Sequence, residues 1–242
     1  MKLLALNGSP MMKRGMTHLL MEELLAGARE AGAEAETVFL QRKKIAGCLG
    51  CYRCWVKTPG MCVQKDDMGE LLARTREADC LVLGTPVYLD GMTAQLKLYV
   101  DRLIPLLDPH FELVEGHVRH GRRYERLPRV FLVSVAGFPE LDNFDGLIDH
   151  VERLCRNLHV DFAGSLVRPT SYVLSLEKVL PEPVARIKAA ARTAGRELVE
   201  AGRVSPETRG AVAEPVFETE RFIAQSNRGW DRSIAAGKWP LE

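Results

Sequence analysis

The sequence predicts an α/β protein: a parallel sheet of five strands with helices on both faces, followed by a helical extension. Three observations carry this. Short apolar runs alternate along the chain with stretches of helical spacing, the pattern of strand-helix-strand units. The runs are rich in Val, Leu and Phe, as in strands covered on both faces. After residue 175 only helical spacing remains.

The elements follow in order. "KLLAL" (2–6) is the first strand, and Leu20, Leu24 and Ala28 mark a helix that Gly32 ends as a C-terminal cap. "TVFL" (37–40) is the second strand. Asp67 and Glu70 have the spacing of a capping box, opening a helix to Glu77 with Met68, Leu71 and Leu72 inward. "CLVLG" (80–84) is the third strand, and Leu96, Val100, Leu103 and Ile104 mark the next helix. The connection 108–129 holds three histidines and several arginines and is expected to be a solvated hairpin about Glu115-Gly116. "VFLVSV" (130–135) is the fourth strand, and Phe144, Leu147, Ile148, Val151, Cys155 and Leu158 line the helix after it. "VDFAGSLV" (160–167) alternates, placing Val160, Phe162, Gly164 and Leu166 on one side, as on an edge strand wet on one face. Residues 1–175 thus form one domain, with a cysteine-rich loop at 45–65. In the extension, 176–242, two helices are expected, one from Pro181 to Gly202 and one carrying Ile223, Trp230 and Ile234 on a stripe. Such a stripe must be covered, and an oligomer, a homodimer or homotetramer, is expected.

Among the 242 residues, Lys and Arg number 33 and Asp and Glu 32, a formal charge of +1, so no global field recommends nucleic acid or an anionic membrane. The N-terminal apolar run is too short for a signal peptide or a span, so a cytoplasmic protein is expected. In that reducing compartment, clustered cysteines hold metal or do redox chemistry more often than they form disulfides.

In an open parallel sheet, ligands bind at the carboxyl ends of the strands. The first such loop, "NGSPMMKRGMTHLL" (7–20), offers Gly, Ser and Thr and then the unpaired amides of a helix start, a cradle for phosphate. An ordinary β-α turn has the same look. "GTPVYLDGMTAQLKLYVDR" (84–102) puts Tyr88 at a strand end, where it can lie beside a flat ring or pack on the protein itself. "SVAGFPELDNF" (134–144) offers Gly137 for close backbone approach and Phe138 as a wall.

Together, "NGSP...GMT", the cysteine stretch "CLGCYRCWVKTPGMC" (48–62), "DDM" (66–68) and "TPVYLDGMTAQLKLYVDR" resemble the NADPH-dependent FMN reductase family and, within it, the iron-sulfur flavoproteins. The resemblance covers about residues 1–165. It implies a flavodoxin-like doubly wound sheet of order 2-1-3-4-5. It also implies bound FMN, its phosphate on Ser9, Gly15, Met16 and Thr17 and its ring among Pro86, Val87, Tyr88 and Gly137; Lys13 or Arg14 is expected to supply charge. Relatives usually read Gly-Ser-Pro-Arg-Lys-x-Gly-Asn-Thr, whereas this chain has Met11, Met12 and Met16, so looser flavin binding is expected.

Cys48, Cys51, Cys54 and Cys62 form C-x₂-C-x₂-C-x₇-C, with Pro59 and Gly60 allowing the fourth to reach back. Three thiolates at x₂ spacing wrap a compact object, as the four ligands of a [4Fe–4S] cluster do; bare or redox-active thiols and zinc are the other readings. The resemblance favours the cluster, placed beside the flavin because the loop follows the second strand. Cys80 and Cys155 are expected in the core. The function expected is a flavin-dependent oxidoreductase passing electrons from NAD(P)H or ferredoxin to a small-molecule acceptor, with no protein acid or base. The alternatives are a cluster-free NAD(P)H-dependent FMN or quinone reductase and a non-catalytic metal-binding or thiol-sensing module.

Overall fold

The computed structural model describes residues 1–238. The strands are β1 (Lys2–Asn7), β2 (Glu34–Phe39), β3 (Cys80–Pro86), β4 (Leu107–Val114), β5 (His117–Arg122), β6 (Arg129–Val135) and β7 (Phe162–Arg168). Five of them make one parallel sheet in the order β2-β1-β3-β6-β7. Numbered within the sheet this is 2-1-3-4-5, the flavodoxin-like arrangement. β4 and β5 stand apart as an antiparallel hairpin whose turn residues, Glu115 and Gly116, both have positive φ, as the sequence leads one to expect.

The helices are α1 (Met16–Glu30), α2 (Arg53–Val56), α3 (Met68–Glu77), α4 (Ala94–Asp101), α5 (Asp145–Leu158), α6 (Pro181–Glu200), α7 (Pro206–Ala213) and α8 (Thr219–Ala236). None is long and apolar enough to cross a membrane. The period of two along a strand divides the core between them. Leu3 and Ala5 face α1 and α6 with Val82, Phe131 and Val133, whereas Leu4 and Leu6 face α3, α4 and α5 with Leu81, Leu83 and Leu132. Each such leucine contributes about 1.5–3 kcal/mol on burial. Cys80 and Cys155 lie in these two layers, and burial pushes both thiols up to about 12, so they are unreactive core residues.

The first helix of the extension is part of the main core. Val184, Ile187, Ala191, Ala194 and Leu198 of α6 are buried against α1, and the two helices touch at glycines. A Cβ on Gly27 would lie 1.8 Å from the Arg192 carbonyl oxygen, and one on Gly195 1.9 Å from that of Leu24.

Several local expectations are corrected. β2 is an edge strand covered on one side rather than a strand buried on both, because among the described residues no strand pairs beyond it in the sheet. The capping box does not form. Asp67 accepts from the Lys44 amide and Glu70 pairs with Lys43 and Arg74, while Asp66 caps the helix by accepting from the Met68 amide. In β7 the alternation breaks at Gly164, φ +105°, where a bulge inserts a residue between the partners of Val130 and Leu132. Phe162 and Leu166 therefore pack on opposite faces. The helix from 96 ends at Asp101, and Ile104 belongs to a short 3₁₀ turn. After Gly202 the chain makes two further helices, not one, because Ser205 caps α7 and accepts from the Thr208 amide. α8 buries none of its residues, and Ile223 and Ile234 are exposed along it. Residues 239–242 of the expected extension lie outside the described residues.

Candidate functional site

The three expected loops meet at the carboxyl rim of β1, β3 and β6 because those strands are neighbours. The Gly8 amide donates to the Gly84 carbonyl at 2.7 Å, and the Val87 amide to that of Val135 at 2.8 Å. Thr93, the N-cap of α4, adds a cross-tie. Its hydroxyl donates to the Gly8 carbonyl at 2.7 Å and its amide to the Thr85 hydroxyl at 3.1 Å.

In the first loop Ser9, Gly15 and Thr17 are buried, and Met16 is partly buried as the first residue of α1. Asn7 orders the turn by accepting from the Ser9 amide at 2.8 Å. The first amide of the helix with a backbone partner is that of His18, donating to Gly15, so those of Met16 and Thr17 lead the helix toward the rim. Thr17 Oγ1 and Asn7 Nδ2 are buried without a protein partner. Buried polar atoms in native proteins are paired almost without exception, so two orphans beside a helix start fit an anionic ligand. A Cβ on Gly15 would come within 2.7 Å of Ser9 Oγ, filling this cradle. These groups match the phosphate end of FMN. Lys13 is exposed and makes no ion pair among the described residues; its charge and burial depress the basicity of His18, burial being the larger cause. Met12 adopts φ +47°, a conformation uncommon for a side-chain-bearing residue.

The second and third loops are open. Pro86 and Val87 are partly buried, Tyr88 is 52% exposed and Gly137 has no atom near a would-be Cβ. Tyr88 and Gly91 exchange backbone hydrogen bonds of 3.0 and 3.1 Å across Leu89 and Asp90, both at positive φ. For Leu89 that backbone is strained, and its side chain stands entirely in solvent. With Phe138, also exposed, this rim presents flat apolar surfaces beside open backbone, the character of a site for a planar ring.

The cysteine loop leaves the carboxyl end of β2. Gly50 and Tyr52, at φ +60° and +51°, turn the chain sharply between the first three cysteines, and α2 carries Cys54. Gly60, φ +83°, donates its amide to the Cys54 carbonyl at 3.0 Å, which brings Cys62 back as the spacing predicts. All four cysteines line one narrow hollow closed by Ile104. Burial, followed by the charges of Cys62, Cys48 and Cys51, pushes the Cys54 thiol up. Among the described residues no three Cys, His, Asp or Glu side chains are drawn up as ligands of a single metal ion. The chemistry of the donor set, four cysteines lining one hollow, fits an iron-sulfur cluster.

This hollow is fixed near the opposite end of α4 from the loop after β1. It faces Ile104, beyond the C-terminal end of α4, whereas the phosphate loop is tied to the N-cap of α4, roughly 12 Å away along the helix axis. Sequence reasoning also passed over Asn7, Thr93, Asp66 and Arg102. Asn7 and Thr93 stood in the quoted loops, and a Thr just before an apolar helical stretch is an N-cap signal. The ion pair of Asp66 with Arg102 spans 36 residues and leaves no local trace.

Residues 1–125 match the sequence pattern of the family described as NADPH-dependent FMN reductase. An iron-sulfur flavoprotein of Methanocaldococcus jannaschii is 42% identical over 106 residues, 44% of this chain and 53% of the relative. One from Archaeoglobus fulgidus is 40% identical over 105 residues, 43% and 46% of the two chains. The match thus spans about half the length of these curated relatives. Among solved structures, an FMN-dependent NADH-azoreductase from Bacillus anthracis aligns with TM-score 0.60 at 16% identity, over 83% of this chain and all of the other. An NAD(P)H:quinone oxidoreductase from Methanothermobacter marburgensis aligns with TM-score 0.58 at 19% identity, over 82% and 96%. At these identities the structural likeness establishes the shared fold alone.

Proposed function

The chain belongs to the NADPH-dependent FMN reductase family, whose pattern matches half of it, and from this premise we propose that it is an iron-sulfur flavoprotein oxidoreductase. It would take electrons from NAD(P)H or ferredoxin and deliver them to a small-molecule acceptor. The observation that carries the reading is the union of two features: orphaned buried polar atoms on Asn7 and Thr17, at the end of β1 and the start of α1, and four cysteines lining one hollow. FMN would supply two-electron chemistry with single-electron release, and a [4Fe–4S] cluster one-electron transfer.

The chain's own groups bind and orient. Asn7 shapes the turn, while Thr17 and the α1 amides hold the phosphate, with Ser9, Gly15, Met16 and Lys13 around them. Pro86, Val87, Tyr88 and Gly137 frame the ring and limit water at its edge. Cys48, Cys51, Cys54 and Cys62 ligate the cluster. No side chain is needed as an acid or base. The exposed apolar residues of α8 support assembly into a homodimer or homotetramer, in which a hollow and a flavin loop of different subunits can approach.

The test is an ultraviolet-visible spectrum of protein purified without oxygen, with iron and acid-labile sulfide assayed on the same sample. Flavin bands over a broad shoulder that bleaches with dithionite, with iron and sulfide at about four per chain, are expected. Flavin with neither iron nor sulfide would leave a cluster-free FMN or quinone reductase as the working function. Protein that binds neither would leave a thiol module on a flavodoxin-like scaffold.

A further inference from the structure

Arg102, which ends α4, is only 2% exposed, a rare state for an arginine. Its Nη1 donates to the Ala46 carbonyl and to Asp66 Oδ2, both at 2.8 Å, and its Nη2 to Asp66 Oδ1 at 3.0 Å. Asp66 also accepts from the amides of Ala46 at 2.9 Å and Met68 at 3.2 Å. Ala46 stands two residues before the first of the four clustered cysteines and Asp66 four residues after the last. One buried fork therefore closes the base of the cysteine loop and fixes it to the end of α4. The other end of that helix holds the Gly8 carbonyl through Thr93.

The fork is not fully used. Arg102 Nε is buried without a partner, and a buried donor left unpaired is costly. Cys62 is near enough to the same guanidinium to interact with it. Burial opposes the Asp66 carboxylate, and the bonds from Arg102, Ala46 and Met68 outweigh it and hold its pKa below the ordinary range. A pair this well bonded keeps its geometry, and what it leaves over is a buried N–H with no partner of its own.

We propose that Arg102 is a positioning residue for the fourth cluster ligand: with Asp66 it clamps both ends of the cysteine loop, and its spare N–H donates to the Cys62 sulfur when that sulfur ligates. The inference rests on the reading of the four cysteines as cluster ligands. Outer partners of metal ligands govern affinity, and hydrogen bonds to cluster sulfurs set reduction potential. A donor at sulfur favours the more negatively charged, reduced form, so its loss lowers the potential.

The experiment compares wild type with Arg102→Gln, Arg102→Lys and Asp66→Asn, each purified without oxygen. It measures FMN, iron and sulfide per chain, the chelator concentration that removes half the iron, and the midpoint potential of the cluster. Arg102→Gln is expected to keep its FMN, to lose iron at about 10- to 100-fold lower chelator, and to show a lower potential. Arg102→Lys, which retains the charge, is expected to return the potential toward wild type. A merely structural ion pair would leave the potential unmoved, so an unchanged potential and chelator curve in a folded Arg102→Gln protein overturns the assignment while the cluster reading stands. Wild type with FMN but neither iron nor sulfide overturns that reading, and this inference with it. Where Arg102→Gln fails to fold, Arg102→Lys and Asp66→Asn decide. Easier iron loss with FMN intact supports the clamp, and wild-type retention and potential in both overturn it.

Discussion

Replacing Thr17 with valine separates a binding role from a structural one, because the two predict opposite signs. Thr17 is 1% exposed and its hydroxyl has no protein partner. Valine keeps the shape and the β-branch, and its helix propensity is close to that of threonine. In flavin-free protein the substitution removes a buried unsatisfied hydroxyl, whose cost is about 1–3 kcal/mol. The lower end of that range corresponds to a rise in Tm of about 2–4 °C for a chain of this size. A hydrogen bond from this hydroxyl to a charged phosphate contributes about 1.5–3 kcal/mol, and its loss weakens FMN binding by about 10- to 150-fold. Stability of the empty protein thus rises while affinity falls. The assays are thermal unfolding of flavin-stripped protein by circular dichroism and titration of FMN by quenching of its fluorescence. A valine protein that melts lower than wild type, or that binds FMN equally well, refutes the orphan-hydroxyl argument and moves the phosphate elsewhere.

Three further outcomes are expected. Gly195→Ala would gain up to about 1 kcal/mol of helix propensity in isolation, but its Cβ would meet the Leu24 carbonyl at 1.9 Å and the Ala28 amide nitrogen at 2.7 Å. Overpacking costs about 1–3 kcal/mol or more, so Tm and FMN affinity fall together as α6 pushes α1 away; an unchanged melting curve contradicts the close crossing. Glu197 accepts from the Ser205 amide at 2.8 Å and the Thr208 hydroxyl at 2.8 Å. Burial opposes its charge, but these bonds outweigh it and hold its pKa below the ordinary 4.5. The junction of α6 with α7 is therefore fully stabilised above pH 4.5 and loses that contribution as pH falls through the depressed value. Hydrogen-exchange protection at Ser205 to Thr208 should fall on acidification in wild type and not in Glu197→Gln. Finally, Cys54→Ala should lose iron and sulfide while its FMN content matches wild type, since the hollow and the phosphate loop are held at opposite ends of α4. Parallel loss of flavin would show the two sites to be one structural unit.

Much of this protein was legible locally. Strands buried on both faces announce themselves as unbroken apolar runs, and "KLLAL", "CLVLG" and "VFLVSV" fell where β1, β3 and β6 lie. Glycines at helix ends and turns, Gly32, Gly60 and Gly116 among them, took the positive φ that their positions required. The return of the cysteine loop was legible at Pro59 and Gly60, where the Gly60 amide donates to the Cys54 carbonyl two residues before Cys62. Where patterns failed, a longer-range demand had won. The alternation of β7 was broken by one inserted residue at Gly164, and Asp67 and Glu70 left their box for Lys44, Lys43 and Arg74.

By itself, then, the sequence determined which segments are strands and helices, which loops reach the ligand-binding rim, and which thiols share a turn, since each follows from forces acting between residues close along the chain. Only the tertiary structure decided that Thr17 Oγ1 and Asn7 Nδ2 would be orphaned together, that α6 would seal one face of the sheet through Gly27 and Gly195, and that Arg102 would find Asp66 and come near enough to Cys62 to interact with it. Those relations join residues up to about 170 positions apart, and they exist only once burial has excluded water and left each polar group to find, or to lack, a partner.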